Sequence, residues 1–328
     1  MNVDDLEARR LSLERFRQGY KIFVIVFALG ALAAGAFLGM GHEFYAEDGT
    51  AWSGSLVGAG IALFPAVIVP LIVWSFTGAR KKRALEAAFK SGIVAAELQN
   101  ALEDVNYDPK GSYSKDYVMK LNFFRSFDSA GGSDHVRAKY RGRRFTRCDE
   151  TLFIVEEYEE TDSDGDTVTR TRKVPVFGGS ITALELSSAC PARLLICADS
   201  GIKHAITIPK KGEPQMDMAI FGSGGGRALD SLKFKREYRV SGSSNEAASA
   251  MLTPRRVECL RKLDESVQKP FALLFEGEEL HLIVSGENFF EAALGKNSPS
   301  ITDQRNRVAA EIKNLKERLD LLLEMDEG

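Results

Sequence analysis

Residues 22–41 read IFVIVFALGALAAGAFLGMG and contain no charged side chain over 20 positions. At about 1.5 Å rise per residue, a helix of that length crosses the roughly 30 Å hydrocarbon core of a bilayer. Residues 51–79 again contain no Asp, Glu, Lys or Arg. Two uncharged runs of this length predict a transmembrane hairpin at residues 22–79, with spans at about 22–41 and 55–77 and the lipid bilayer as a partner.

Positively charged residues lie before the first run and after the second run, but not between the two runs. Residues 42–55, between the runs, contain no Lys or Arg. The flanking residues are Arg9, Arg10, Arg15, Arg17 and Lys21 before the first run, and Arg80, Lys81, Lys82 and Arg83 after the second. Because Lys and Arg are retained in short cytoplasmic segments, both termini are predicted to be cytoplasmic. The cluster from Arg80 to Arg83 is also predicted to attract anionic lipid headgroups.

Residues 1–21 are predicted as a cytoplasmic helix that precedes the membrane segment. The apolar positions Leu6, Leu13, Phe16 and Tyr20 lie near one face of it. Since Asp and Glu nearly balance its basic residues, the sequence favours a solvated helix. A cleaved signal peptide is not expected, because a mixed-charge leader precedes a full-length span.

Beyond the membrane segment, residues 84–296 are predicted to form a cytoplasmic α+β domain. Residues 84–105 and 114–127 have apolar residues at helical spacing. From His135 onward, short alternating runs separated by Gly, Asp and Pro are typical of an antiparallel sheet with flanking helices. Strands are predicted at 180–186, 193–198, 204–208, 216–221 and 233–240.

One hairpin is predicted in detail around Asp164-Gly165, a dipeptide suited to a two-residue type I′ turn. Residues 151–160 and 167–176 form its strands. With that turn at the centre, Glu157 faces Arg172 and Glu159 faces Arg170. Asp162, Asp164 and Asp166 alternate like the first ligands of a calcium loop, but the Gly and Glu that such a loop requires are Thr167 and Lys173.

Chemistry-bearing motifs are few. The four histidines are isolated, and the four cysteines form no CxxC pair, so no metal site or cofactor is predicted and the thiols are expected to be reduced. One glycine-rich stretch contains Gly222, Gly224, Gly225, Gly226 and Arg227. It lacks the Lys-Ser/Thr pair of a phosphate-binding loop. A flexible surface loop is the favoured interpretation, with anion binding at Arg227 as the alternative.

Residues 234–290 carry the most informative pattern. A strand with Tyr238 and Val240 leads through a polar turn to Leu252-Thr253-Pro254, which opens a helix; two short strands and Phe289-Phe290 follow. The pattern resembles the bacterial domain-of-unknown-function family 3137, most strongly over these residues. The resemblance implies a membrane hairpin before a cytoplasmic α+β domain and a location in the bacterial inner membrane. It implies no particular activity.

Local chemistry explains the same segment without a ligand. Thr253 is predicted to cap the helix with Pro254 at its first position, and Val257, Leu260 and Leu263 then align toward a core. Beyond the helix, residues 271–275 and 280–284 are predicted to form a hairpin around Glu276-Gly277-Glu278.

Residues 298–325 are predicted as a C-terminal amphipathic or coiled-coil helix. Apolar residues recur at heptad spacing over about three repeats; they are Ile301, Val308, Ile312, Leu315, Leu319 and Leu322. Two alternatives follow from that stripe. It packs against a helix of another chain, with Ile312, Leu315, Leu319 and Leu322 as interaction residues, or it folds back on its own domain.

These features predict a noncatalytic membrane-bound adaptor or regulatory partner. The expected partners are a second copy of the chain or another membrane protein, and no nucleic acid is expected for a chain with a net charge of −3. The alternative is a ligand sensor or enzyme that acts on a phosphate-bearing molecule at the membrane surface, with Arg227 and the glycine-rich stretch as its site.

Overall fold

The computed structural model describes residues 3–39, 43–45, 51–124, 126–161, 167–198, 238–242, 250–295 and 297–328. The chain forms two compact units. The first comprises Met1–Ile93 and Ala292–Asn306, and the second comprises Val94–Glu291 and Arg307–Gly328. The strands predicted at 204–208 and 216–221 lie outside the described residues, and so do Asp162, Asp164, Gly165 and Asp166.

The first unit is built on two helices that pack together, α1 (Val3–Leu38) and α2 (Gly54–Val73). Two short antiparallel strands lie between them, β1 (Glu43–Tyr45) and β2 (Ala51–Ser53). A π-helical turn (Trp74–Gly78) joins α2 to α3 (Ala79–Phe89). Among the described residues, α1 is the helix that is long and apolar enough to cross a membrane. The second predicted span covers α2 and the π-helical turn, and its membrane crossing stays a prediction.

Residues 3–21 of the leader are helical, as predicted, and α1 continues from them into the apolar run. Leu6 and Leu13 are buried, as the predicted apolar face requires. The Ile301 N–H donates to the Glu7 carboxylate at 2.9 Å, and Arg10 donates to the Ser298 carbonyl at 3.3 Å. The apolar face of the leader is therefore not solvated, because it packs against residues 292–306 of the same unit, while Asp4, Arg9 and Arg15 on the other side are exposed.

The second unit is an α+β domain, as predicted. A second π-helical turn (Lys90–Val94) leads into α4 (Ala95–Ala101). The remaining helices are α5 (Lys115–Lys120), α6 (Pro254–Ser266) and α7 (Ile301–Glu327). The first residues of α7 belong to the first unit. The strands are β3 (Glu103–Asp108), β4 (Ser129–Tyr140), β5 (Arg143–Thr161), β6 (Thr167–Glu185), β7 (Leu194–Ala198), β8 (Tyr238–Gly242), β9 (Phe271–Glu276) and β10 (Glu279–Ser285).

The eight described strands of the second unit form one antiparallel sheet in the order β3-β4-β5-β6-β10-β9-β7-β8. An apolar core covers one face and contains side chains from the segment around α5 and from five strands. Its residues include Val118, Phe123, Leu152, Ile181 and Leu274. On β9, an interior strand of the sheet, all of residues 271–275 are buried, which explains the uninterrupted apolar sequence Phe-Ala-Leu-Leu-Phe there.

Two predicted helices are shorter than expected. The helix predicted at 84–105 ends at Ala101, because Leu102 is extended and Asp104 has a positive φ of 51°, so that Val105 lies in β3. The helix predicted at 114–127 is reduced to α5. Phe123 and Phe124, inside the predicted helix, follow α5 as buried core residues without helical conformation.

The β5–β6 hairpin exists, but its predicted register is wrong by one residue near the turn. Glu156 pairs with Arg172, Glu157 with Thr171 and Tyr158 with Arg170. Closer to the sheet, pairs such as Leu152↔Phe177 and Cys148↔Ile181 do follow the predicted register. A β-bulge between Leu152 and Phe153 shifts the pairing. The bulge lies beside Pro175, which has no N–H for the ladder.

In the segment that carries the family resemblance, the predicted helix and the hairpin that follows it are confirmed; β8 covers the end of the strand predicted at 233–240, and residues 233–237 and 243–249 lie outside the described residues. The Thr253 hydroxyl accepts a hydrogen bond from the Arg256 N–H at 3.2 Å, and Pro254 begins α6. The side chains of Val257, Leu260 and Leu263 are buried. Strands β9 and β10 pair across a tight turn in which Gly277 has a φ of 59°, a conformation that glycine adopts without a steric cost.

Candidate functional site

The predicted site residues fall into three groups in the structure. Gly222, Gly224, Gly225, Gly226 and Arg227 lie outside the described residues, so anion binding there stays a prediction. Arg80, Lys81, Lys82 and Arg83 lie on the first turns of α3 and are exposed, as a lipid-facing cluster would be. Ile312, Leu315, Leu319 and Leu322 lie on α7 and are buried within this chain.

The burial of the α7 stripe matches the alternative in which the helix folds back on its own domain. Leu315 is 2% exposed, and Leu319 and Leu322 are completely buried. Polar contacts at its C-terminal end tie the helix to the same unit. Asp326 accepts from the Ser187 N–H at 2.8 Å, and the Met325 carbonyl accepts from Arg256 at 2.8 Å. A role of the stripe in association therefore stays a prediction, and it would require the helix to leave this packing.

An ionic network lies buried beside α7 and was not singled out from the sequence. Arg147 on β5 is completely buried and donates to both carboxylate oxygens of Asp149, at 2.6 and 3.2 Å. Glu287 accepts from Arg318 of α7 at 2.7 and 2.8 Å, and from the Ser180 hydroxyl at 2.7 Å. The network thus connects the centre of the sheet to the C-terminal helix.

Burial and pairing act in opposite directions on the charges of this network. Burial raises the pKa of Asp149 to about 6, against the lowering effect of Arg147. Burial lowers the pKa of Arg147, but the carboxylates of Asp149 and Glu287 outweigh it and leave that pKa raised. The Arg147 guanidinium also lies over the Phe289 ring, 4.5 Å from its centroid. Contacts with a carboxylate and an aromatic face indicate a structural role for this guanidinium, whose buried Nε has no hydrogen-bond partner in the described part of the chain.

A groove of about 570 Å³ crosses the sheet next to this network. Its lining includes Asp149 and Glu287 and the glycine pairs Gly131-Gly132 and Gly178-Gly179. A Cβ at Gly132 or Gly179 would clash with a backbone carbonyl, so the close strand approach requires glycine there. Both of these carboxylates are hydrogen-bonded. A third acid that lines the groove, Glu150, accepts from the Tyr113 N–H with one oxygen, and its other oxygen is buried without a hydrogen-bond partner in the part of the chain that the structure describes. Among the described residues, no group of three His, Cys, Asp or Glu is arranged to hold a metal ion.

The outer part of the β5–β6 hairpin forms an extension that we call the ribbon, residues 154–161 and 167–175. β4 pairs with β5 only as far as Phe153, and β10 pairs with β6 only as far as Gly179. No described strand pairs with the ribbon on either side. At about 3.4 Å per residue, the ribbon is roughly 25 Å long. Val155, Tyr158 and Val168 on it are 42%, 40% and 43% exposed.

Charge is separated between the two strands of the ribbon. Four Glu residues lie on its β5 strand, and Arg170, Arg172 and Lys173 lie on its β6 strand. Glu156 pairs with Arg172 at 2.8 Å, and Glu160 pairs with Arg170 at 2.7 Å. Glu157 and Glu159 are exposed and have no ion-pair partner in the described part of the chain. The ribbon therefore combines exposed apolar side chains, a strand edge without a neighbouring strand and two carboxylates without an ion-pair partner.

The sequence contained a weak signal for the buried network. Arg147 and Asp149 alternate along β5 and so point to one face of the sheet. Charged residues at that spacing in a strand usually mark a solvated face, and only the packing of α7 and the Phe289-Phe290 segment shows that this face is covered. The exposed ribbon was foreseeable from the charged hairpin sequence, but its extension beyond the neighbouring strands was not.

Together these features define a chain with a helix able to cross a membrane and an antiparallel α+β domain whose central charged residues serve internal pairing. Residues 176–326 match the model of the family described as "Protein of unknown function (DUF3137)". That match confirms the resemblance seen in the sequence.

Comparison with individual proteins adds little to the family match. No curated protein matches the chain. Among solved structures, the chain is similar to the mycobacterial trehalose monomycolate transport factor A, TtfA, at 9% sequence identity and a TM-score of 0.32. The similarity covers 71% of this chain and 96% of that one. A likeness at this level carries no argument about fold or function.

Proposed function

We propose that the protein is a membrane-anchored, noncatalytic adaptor whose ribbon binds a basic segment of a partner protein. In this proposal α1 and α2 both cross the bacterial inner membrane, with both termini in the cytoplasm. The charge asymmetry of the flanking residues supports that orientation. The exposed apolar surface of α1, where Ile22, Val26 and Leu29 are each 63% exposed, supports contact with lipid.

The ribbon is the observation that carries the adaptor proposal. The Val155 N–H on the outer edge of β5 is already bonded to Asp128 at 2.6 Å. By the alternation of an antiparallel strand, the N–H groups of Glu157 and Glu159 point to the same edge, beyond the reach of β4. An extended partner segment can add a strand there, because main-chain hydrogen bonds provide affinity and side-chain chemistry provides specificity.

The acidic side chains beside that edge determine which charge the partner segment should have. Glu157 and Glu159 lie on one face of the ribbon, opposite Thr171 and Thr169. Two carboxylates without an ion-pair partner beside an open edge favour a segment that contains Lys or Arg, and they disfavour an acidic one. The same acid protects the free chain from pairing with itself, because a second β5 edge would bring like charges together.

The proposed topology predicts which positions an impermeant reagent reaches. A Ser53→Cys variant should react with a membrane-impermeant thiol reagent in intact cells, because residues 42–55 are expected outside the cytoplasm. Ser298→Cys serves as the control and should react only after lysis. Labelling at residue 298 in intact cells, or none at residue 53, would contradict the orientation.

Removing the uncompensated acid should remove the partner. Glu157→Gln with Glu159→Gln is expected to lower the amount of co-purified partner at least about tenfold, since each close charge pair in such an interface is worth roughly 1 kcal/mol or more. Both side chains are exposed, so the melting temperature should stay unchanged. Quantitative mass spectrometry of proteins captured from detergent-solubilised membranes measures the amount of co-purified partner.

The matched control removes the same charge elsewhere in the second unit. Glu278→Gln with Glu317→Gln alters two exposed residues away from the ribbon. This variant should retain the partner. Equal partner loss in both variants would indicate a general effect of net charge and would contradict the assignment of the ribbon.

A further inference from the structure

An aromatic cluster lies at the end of the apolar surface of α1 and α2. Tyr20 and Trp74 have ring centroids 5.2 Å apart, and Phe16 stacks against Trp74 at 6.1 Å. Exposed apolar residues continue from this level along both helices, with Ile22 63% exposed on α1 and Leu71 58% exposed on α2. Tyr and Trp at the end of an apolar band mark the level of lipid headgroups.

Specific contacts hold this cluster in place. The Tyr20 hydroxyl donates to the Pro70 carbonyl at 2.6 Å. A Cβ at Gly78 would lie 2.5 Å from the Trp74 ring, so the absence of a side chain there lets the indole pack against the π-helical turn. Lys81, one of the four membrane-flanking basic residues, places its ammonium 4.7 Å from the centroid of Phe16.

A cavity of about 510 Å³ opens beside the cluster, within the first unit. Its apolar wall consists of Tyr20, Leu71 and Trp74, and its polar wall includes Glu14, Arg17 and Lys21. The volume lies in the range of small-molecule sites. One side of the cavity thus matches acyl carbon, and the other matches a charged headgroup.

The polar wall has an excess of positive charge. Glu14 is compensated by Arg10, at 2.8 Å. Arg17 donates to the Gly295 carbonyl at 3.0 Å, which leaves its charge unneutralised. Within the described residues, neither Arg17 nor Lys21 is paired with a carboxylate. A phosphate in the cavity would provide the missing anion for both.

We propose that this cavity binds one anionic glycerophospholipid of the cytoplasmic leaflet. The phosphate lies between Arg17 and Lys21, and the part of an acyl chain nearest the headgroup lies along Leu71 and Trp74. The inference rests on the proposed membrane insertion of α1, and it adds a specific lipid site to that anchor. The site fixes the level of the first unit in the membrane.

The test uses the full chain in detergent with phosphatidylglycerol as the probe. Native mass spectrometry of a lipid titration should show one tightly retained phosphatidylglycerol and weaker retention of phosphatidylcholine. Arg17→Gln with Lys21→Gln should weaken phosphatidylglycerol binding at least about tenfold, because two basic contacts to an anionic lipid are lost. If loss of the Arg17–Gly295 contact unfolds that variant, Lys21→Gln alone should still weaken binding about threefold or more.

Arg9→Gln with Arg15→Gln is the matched control, because both residues are exposed on the same helix but do not line the cavity. It should change the affinity less than about twofold. Equal weakening in the control, unchanged affinity in the test variant, or displacement of the lipid by soluble glycerol phosphate at equal concentration would each overturn the site. Incorporation of each variant into bilayer nanodiscs is measured in parallel, so that failure of membrane insertion is distinguished from failure of the lipid site.

Discussion

Replacing Leu315 and Leu319 with Asp is expected to unfold the α+β domain. Both side chains are buried, at 2% and 0% exposure. Truncating a buried Leu to Ala already costs about 2–5 kcal/mol, and Asp adds a charge without a partner. The summed loss of at least about 4 kcal/mol is comparable with the whole stability of an ordinary domain. Circular dichroism of the purified chain through a denaturant titration measures it.

Exposed positions of the same helix provide the control. Lys313→Asp with Asn314→Asp places two acidic side chains on the solvent face of α7 and should change the unfolding free energy by less than about 1 kcal/mol. If the Leu315 and Leu319 variant instead stays folded and releases a second copy or another protein, the stripe acts between chains, and the packing of α7 on its own domain would be contradicted.

Arg147→Met is expected to destabilise the domain by about 3–5 kcal/mol, because it leaves Asp149 buried without its partner. The double variant Arg147→Met with Asp149→Leu removes both charges and should recover most of that loss, since an apolar pair has no desolvation cost. Denaturant titration of the two single variants and the double variant gives their coupling energy.

Arg144 provides the comparison on the same strand. It pairs with Glu185 at 2.7 Å, but its side chain is 72% exposed. Arg144→Met should therefore cost about 1 kcal/mol or less. A loss at Arg147 no larger than that at Arg144, or a double variant less stable than either single variant, would show that the buried network does not stabilise the fold as described.

Much of the fold was predictable because local signals and burial agree. The capped helix at Thr253-Pro254 and the tight hairpin at Gly277 follow from side-chain chemistry that acts within a few residues. The hairpin around Asp164-Gly165 shows the limit of such reasoning. The turn dipeptide indicated the pairing but not the β-bulge next to Pro175, which moved the outer pairs by one residue.

The candidate sites were harder to predict, because they depend on contacts between distant segments. Arg147 and Asp149 read as a solvated strand face until α7 and the Phe289-Phe290 segment cover them. The heptad spacing of α7 fitted packing within a chain and between chains equally well, since both bury one stripe. The lipid cavity likewise needs Arg17 of α1 and Trp74 of the π-helical turn, which are 57 positions apart in the sequence.

Site-specific photo-crosslinking in native membranes tests the adaptor proposal most directly. A photoreactive phenylalanine at Tyr158 on the ribbon should give a crosslinked partner with a basic segment at the adduct site. The same probe at Met119 on α5, which is also exposed, should give none. An adduct of equal yield from both positions, or no protein adduct from Tyr158, would contradict the proposed role of the ribbon.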